Sequence, residues 1–282
     1  MKNKGNILIV LLMSIIIVML LALCILLATN TISFNVNSNK QNMGTQDNSN
    51  EEKNTYTINY KEEVYVTKNS QNVESTKSKR NIIKISNDKN EDAASSIETK
   101  LNLISDKQWE EIKNMADETK ENNYQVVGVN YLFKTGIIND NRLTITASMD
   151  GDFGGVGWTS DEGYNFDAAT GNLLKLNDIG TGVYDYLYNS SINELEKNNY
   201  TLIENWKEKV KEELNKDGNW YFTNNGIKIN FPKYSITDGA SGIITIDIAK
   251  ENINQYLFDK YKIKWFIHSN KISFLKNRNE IF

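Results

Sequence analysis

One run of thirty residues, Gly151 to Gly180, constrains the fold more than any other stretch: GDFGGVGWTSDEGYNFDAATGNLLKLNDIG. It is dense in turn signals. It reads as a glycine loop, a strand ending at Phe166, a turn at Ala169-Thr170-Gly171, and a short apolar segment leading into a helix. Mixed β and α patterns sit on either side of it. A chain with that mixture folds as α+β, with antiparallel sheets packed against helices, and the turn marks the seam between two consecutive modules.

The strand evidence is alternation. Tyr56–Tyr60, Val64–Val66 and Asn81–Ile85 alternate like strands. Gln125 to Lys134 and Arg142 to Met149 follow, joined at Ile138-Asn139-Asp140-Asn141. In the second of these, Leu143, Ile145, Ala147 and Met149 alternate with Thr144, Thr146 and Ser148, so one face is dry and one wet. Gly157 to Phe166 supplies a third. Between the two groups, Ser86-Asn87-Asp88 offers caps for a helix carrying Ala94, Ile97, Leu101 and Ile104. Ser105 and Gln108 form a capping box that opens a second helix with Trp109, Ile112, Met115 and Ala116 on its apolar stripe. Beyond Gly180, helices are expected over Val183–Glu196 and Thr201–Leu214. Strands are expected over Asn219–Thr223, Gly226–Phe231 and Gly242–Ile248, and a last helix over Ala249–Phe258. Asn224-Asn225-Gly226 carries the strong Asn-Gly hairpin signal.

Ahead of all this lies an apolar segment. Ile7 to Ala28 has Ser14 as its only polar side chain. A helix of that length reaches about 33 Å at 1.5 Å per residue, enough for a hydrocarbon core of about 30 Å. Lys2 and Lys4 precede it and no basic residue follows until Lys40, so the bias puts the N-terminus inside and the rest outside. The run exceeds a usual signal h-region, which favours an uncleaved anchor over a cleaved signal. Leu21-Ala22-Leu23-Cys24 is a lipobox-like alternative with Leu23 where a small residue belongs. The expected plan is a cytoplasmic stub over 1–6, a transmembrane anchor over 7–28, a polar disordered linker over 29–55, α+β modules over 56–170 and 171–260, and a basic-aromatic tail or terminal hairpin over 261–282. The expected location is the cell membrane, single-pass, with the bulk of the chain extracytoplasmic.

Composition removes several chemistries. Cys24 is the one cysteine and His268 the one histidine. No metal site of the His/Cys kind and no cofactor is expected, nor a disulfide or a cysteine nucleophile in the globular part. Past Lys4 the chain holds 30 basic and 36 acidic residues, a charge of −6. That disfavours nucleic acid and suits a basic partner. Asp150-Gly151-Asp152 lacks the spacing of a calcium loop, and the glycines after it lack the Lys-Ser/Thr of a phosphate loop. Asp161, Glu162 and Asp167 allow a glycosidase-like carboxylate pair, so a wall-polymer hydrolase stays open as an alternative, as does a structural envelope subunit. Pro232 is the lone proline; it ends a strand and places Tyr234 on a fixed loop, either as an interface anchor or packed under its own loop.

These residues resemble a known pair of bacterial extracytoplasmic modules, the PdaC-like domain followed by the RsiV C-terminal domain of unknown function. Asn81 to Ile104 looks like the first module's strand and helix. Arg142–Met149 with Gly154-Gly155-Val156-Gly157 is similar to its strand and Gly-Gly-Ala-His-Gly loop. Tyr164 to Gly171, followed by Leu176-Asn177-Asp178, resembles the junction, and Trp220 to Tyr234 the second module's hairpin. The family's loop histidine is replaced here by Val156-Gly157. The family's catalytic metal domain has no counterpart, and residues 1–6 are too few to hold a sigma factor. What the resemblance implies is binding: RsiV-type modules receive lysozyme, a basic muramidase. The implied partner-binding residues are Gly154, Gly155, Val156, Gly157, Trp158, Pro232 and Tyr234, and the implied partners are a lysozyme-like protein or peptidoglycan. The anchor reading predicts that the chain stays in the membrane pellet after carbonate washing, at full size and without palmitate label; a shortened or palmitate-labelled product contradicts it.

Overall fold

The computed structural model describes residues 55–122, 125–155 and 157–264. The expected anchor, the linker up to residue 54, Cys24, Val156, His268 and the tail beyond Lys264 lie outside the described residues. Among the described residues no helix is long and apolar enough to cross a membrane.

The described chain begins with β1 (Thr57–Lys68) and β2 (Glu74–Ser86), an antiparallel hairpin paired from Thr57 opposite Ser86 to Thr67 opposite Thr76. Its turn is set by Asn69, whose Oδ1 accepts from Gln71 N and Val73 N. Sequence alternation had split β1 in two, because Lys61-Glu62-Glu63 interrupts it. The strand lies at the edge of the sheet, where charges are tolerated.

A single helix, α1 (Glu91–Thr119), replaces the two expected. Ser105 is no cap. It is buried on the same stripe as Ile97, Leu101, Trp109, Ile112 and Ala116, and no Gly or Pro interrupts 91–119. The true N-cap is Asn90, whose Oδ1 accepts from Ala93 N at 3.1 Å.

The helix changes the sheet. It crosses from β2 to β3 (Gly128–Ile138), and a crossover of that length makes the pair parallel. The wholly antiparallel sheet expected is therefore mixed. β2 and β3 pair at Lys79–Asn130 and Arg80–Tyr131, with a parallel bridge at Thr76–Val127 just ahead of β3; beyond Arg80 they diverge, and α1 fills the split. Side-chain amides replace the missing ladder. Asn81 accepts from Phe133 N at 2.6 Å and donates to Phe133 O at 2.8 Å. Asn102 of α1 does the same for Ile83, and Glu98 accepts from Ile85 N. Backbone groups that would otherwise be buried without partners are thereby satisfied. β4 (Arg142–Asp152) and β5 (Gly157–Asp167) complete a sheet of order β1-β2-β3-β4-β5. Its core includes Ile97, Trp109, Tyr131, Phe133, Ile145 and Phe166.

After β5 come α2 (Leu176–Ile179), α3 (Val183–Lys197) and α4 (Trp206–Leu214). Then β6 (Trp220–Thr223), β7 (Gly226–Phe231) and β8 (Ile244–Ala249) form a three-stranded antiparallel sheet. Ile227, Ile229 and Phe231 of β7 belong with Leu187, Val210 and Leu214 to a second core. The Asn225-Gly226 turn is real: Gly226 has φ +156, and a Cβ there would stand 1.8 Å from Ile248 O. α4 starts later than expected because Leu202 bridges to Thr237. The last helix is shorter, α5 (Lys250–Ile253), because Gly180 bridges to Leu257 and draws the chain into an extended segment.

Among the described residues, both sheets and the five α-helices lie in one compact unit. Its seam is Asp167. The Oδ1 of this carboxylate accepts from Ala169 N, Thr170 N and Thr170 Oγ1; its Oδ2 accepts from Lys260 Nζ at 3.0 Å and Tyr261 OH at 2.7 Å. Arg142, directly opposite on β4, donates to Tyr261 O and lies 4.2 Å from the Phe222 ring. Burial alone would raise the Asp167 pKa. The hydrogen bonds from Tyr261, Lys260, Thr170 and Ala169 outweigh it and hold the group at about 2, below its ordinary 3.8. The stabilisation is therefore complete above about pH 4–5 and is lost as pH falls toward 2. Asp167→Asn should cost roughly 2 kcal/mol in urea unfolding at pH 7 and remove part of the decline in stability between pH 5 and 2; an unchanged pH profile contradicts the assignment.

Candidate interaction surface

The predicted glycine loop is the tight end of the β4–β5 hairpin. Pairing runs to Asp152 opposite Gly157, so Gly151 belongs to the strand and not to the loop. A Cβ at Gly151 would stand 2.1 Å from Gly128 O, which explains the glycine. Phe153 turns inward and meets Trp158 edge-on, with centroids 6.0 Å apart. Gly154 (φ +81) donates to Asp152 Oδ1. Gly154, Gly155 and Gly157 are exposed, and nothing lies within 4 Å of a Cβ built on either of the last two. Trp158 is half-buried as the hairpin's flank. Val156, the fifth predicted residue of this loop, is outside the described residues.

Pro232 follows β7, and Ser235 N donates to Pro232 O to close a turn. Tyr234 within it has φ +68 and is 65% exposed, the most exposed large apolar side chain among the described residues. A left-handed conformation costs a non-glycine residue about 1–2 kcal/mol, so the loop must hold it there. Gly239 (φ +87) provides the seat: a Cβ there would stand 1.9 Å from Tyr234 Cε1. Lys233 Nζ lies 4.9 Å from the ring centroid. The two sequence readings of Tyr234 thus merge, one side of the ring resting on its own loop and the remainder facing solvent. Gly239 was not singled out in the sequence; its only signal was a glycine in a run of turn residues. Among the described residues no hydrogen bond, ion pair or ring contact joins Tyr234 to the β4–β5 tip.

The carboxylates do not converge. Asp161 and Glu162 are neighbours on β5 and point to opposite faces. Asp161 accepts from Tyr221 OH at 3.1 Å. Glu162 accepts from Tyr131 OH and Tyr164 OH. Burial comes first for both phenols; the Glu162 charge follows for Tyr131, and the neighbouring Tyr131 and then Glu162 for Tyr164, and both groups are pushed well above their ordinary range. Asp167 lies six residues beyond Asp161, about 20 Å along the strand, and its oxygens are occupied by five donors. A glycosidase pair needs roughly 5–9.5 Å, so Asp161 and Asp167 lack that geometry. Among the described residues no group of three His, Cys, Asp or Glu side chains is placed to hold a metal ion.

Residues 177–251 match a family described as a protein of unknown function, DUF3298. No curated protein matches the chain. A solved member of the DUF3298 family from Bacteroides fragilis is similar over 75% of this chain and 98% of its own, with a TM-score of 0.50 and 15% identity. A DUF3298 family structure from Pseudomonas aeruginosa covers the same shares with a TM-score of 0.43 and 12% identity. At 15% identity the first likeness speaks for the fold alone. It extends well beyond 177–251, into the five-stranded sheet.

The seating of Tyr234 predicts opposite effects from two substitutions. Gly239→Ala should displace the ring and lower stability by about 1–3 kcal/mol, because the new methyl meets the ring in a strained conformation. Tyr234→Gly should leave the melting temperature unchanged or slightly higher, since glycine accepts φ +68 freely. Equal losses in both variants contradict the arrangement.

Proposed function

We propose that the chain is a membrane-anchored, extracytoplasmic binding module that faces the cell wall, works by contact without catalysis, and takes a lysozyme-like muramidase or a wall glycan as ligand. The observation that carries this reading is Tyr234: an exposed aromatic ring held in a left-handed conformation on a glycine seat. Such a ring loses little freedom on contact, which is the property of an interface anchor. The open glycine tip of β4–β5 offers a second exposed surface. The charge of −6 beyond Lys4 supports a basic partner through steering. The RsiV-like resemblance supplies the concrete ligand, and the apolar segment Ile7–Ala28 supplies the anchor.

The test uses the full chain in proteoliposomes. Lysozyme should be retained at moderate salt, and Tyr234→Ala should weaken retention about tenfold or more, the scale of one interface anchor. Retention on insoluble peptidoglycan in place of lysozyme assigns the glycan. Failure of both at high micromolar concentration overturns the ligand assignment.

A further inference from the structure

The edge of β5 is used piece by piece, and the use stops short of the tip. β5 ends the five-stranded order, so one of its sides has no strand partner in the sheet. In an antiparallel ladder, alternate residues turn their N–H and C=O to that side. Here these are the odd-numbered residues. Asp167 N donates to Asn172 O, Asn165 O accepts from Leu174 N, and Gly163 N donates to Gly218 O. Asp161 O accepts from Asn230 Nδ2. Beyond that point, among the described residues, nothing outside the β4 ladder bonds to Asp161 N, to Thr159, or to Gly157.

We infer that this free edge, residues 157–161, accepts an added strand from a partner protein, and that the strand is extended and basic. Exposed edges in native sheets are usually blunted by Lys, Pro or a bulge. β1, the other edge, carries Lys61 and Lys68 and a register shift at Thr67/Lys68. The stretch 157–161 has no Lys and no Pro, and its register with β4 is unbroken from Gly157 to Asp167. The approach is open at Gly155 and Gly157, and Thr159 is exposed. Charge selects the occupant. Asp150 and Asp152 stand opposite Thr159 and Gly157, and Asp161 falls on the same face by alternation. None of the three forms an ion pair among the described residues. Lysines at alternate positions of an incoming strand would meet these carboxylates, and apolar residues between them would meet the Trp158 side. Backbone pairing would supply affinity and the alternate side chains specificity.

The inference rests on the binding reading above, but it is separable from the choice of ligand. The probe is an acetylated, amidated peptide of alternating lysine and valine, added to the full chain in nanodiscs. Hydrogen exchange should slow at least tenfold at the Thr159 and Asp161 amides. Thr159→Pro removes only an N–H on the free side and should weaken the peptide tenfold or more. Asp150→Asn with Asp152→Asn should weaken it and flatten its salt dependence. A peptide N-methylated at every residue keeps its charge but cannot pair by either edge, and should not bind. Equal binding of the N-methylated peptide, protection in 57–68 in place of 157–161, or no protection at millimolar peptide overturns the inference. If lysozyme retention fails while the peptide still protects Thr159, the ligand is wrong and the edge stands; the reverse result removes the edge alone.

Discussion

A carboxylate taken out of water is costly unless hydrogen bonds surround it, and the molecule is arranged around one that is surrounded. Asp167 ends β5, closes the turn to Gly171, and receives Lys260 and Tyr261 from the far end of the described chain. The same turn takes Tyr56 OH on Ala168 O and Asn90 Nδ2 on Ala169 O. Gly171 (φ +72) lies so close to Ala93 that a Cβ would come within 2.5 Å of its carbonyl. The first strand, the start of the long helix and the closing segment therefore meet at one side chain and its neighbours. Removing one partner from such a group costs more than the bond itself, because the charge stays buried.

Asparagine does comparable work elsewhere. Asn81, Asn102 and Asn254 each accept from a backbone N–H and donate to the C=O of the same residue, at Phe133, Ile83 and Ile263. A carboxamide in that geometry imitates one rung of a ladder. It lets the sheet open around α1 and lets the closing segment dock without being a strand. Asparagine is abundant throughout the sequence. At these three positions it is structural, and no spacing rule marks them because the partner lies on another element.

What local patterns could reveal follows from the range of the forces involved. The Asn225-Gly226 hairpin, the turn at Ala169-Thr170-Gly171 and the alternation of β4 are decided within a few residues, and they are where the sequence places them. The single α1 was hidden because a serine inside a helix looks like a cap until its burial is known. The parallel β2–β3 pair was hidden because direction depends on what crosses between the strands. Of the candidate surface, Tyr234 was visible through its lone proline neighbour, whereas its seat on Gly239 and the open side of Thr159 depend on contacts made or missing across space. The motif residues 164–171 and 176–178 coincide with the Asp167 turn and α2. A motif at such a seam reports architecture more directly than it reports a ligand.

The seam and the proposed contact edge lie toward opposite ends of β5, about 20–33 Å apart along the strand. A firm junction at one end leaves the other free to meet a partner without disturbing the fold. That account requires the two cores to open together. The most direct measurement is native-state hydrogen exchange of the full chain under increasing urea, comparing Leu143 and Ile145 of β4 with Ile227 and Ile229 of β7. The account predicts that all four amides merge into one global opening with a single free energy. An opening of β6–β8 at clearly lower free energy, with β4 still protected, would show two separable domains and contradict it.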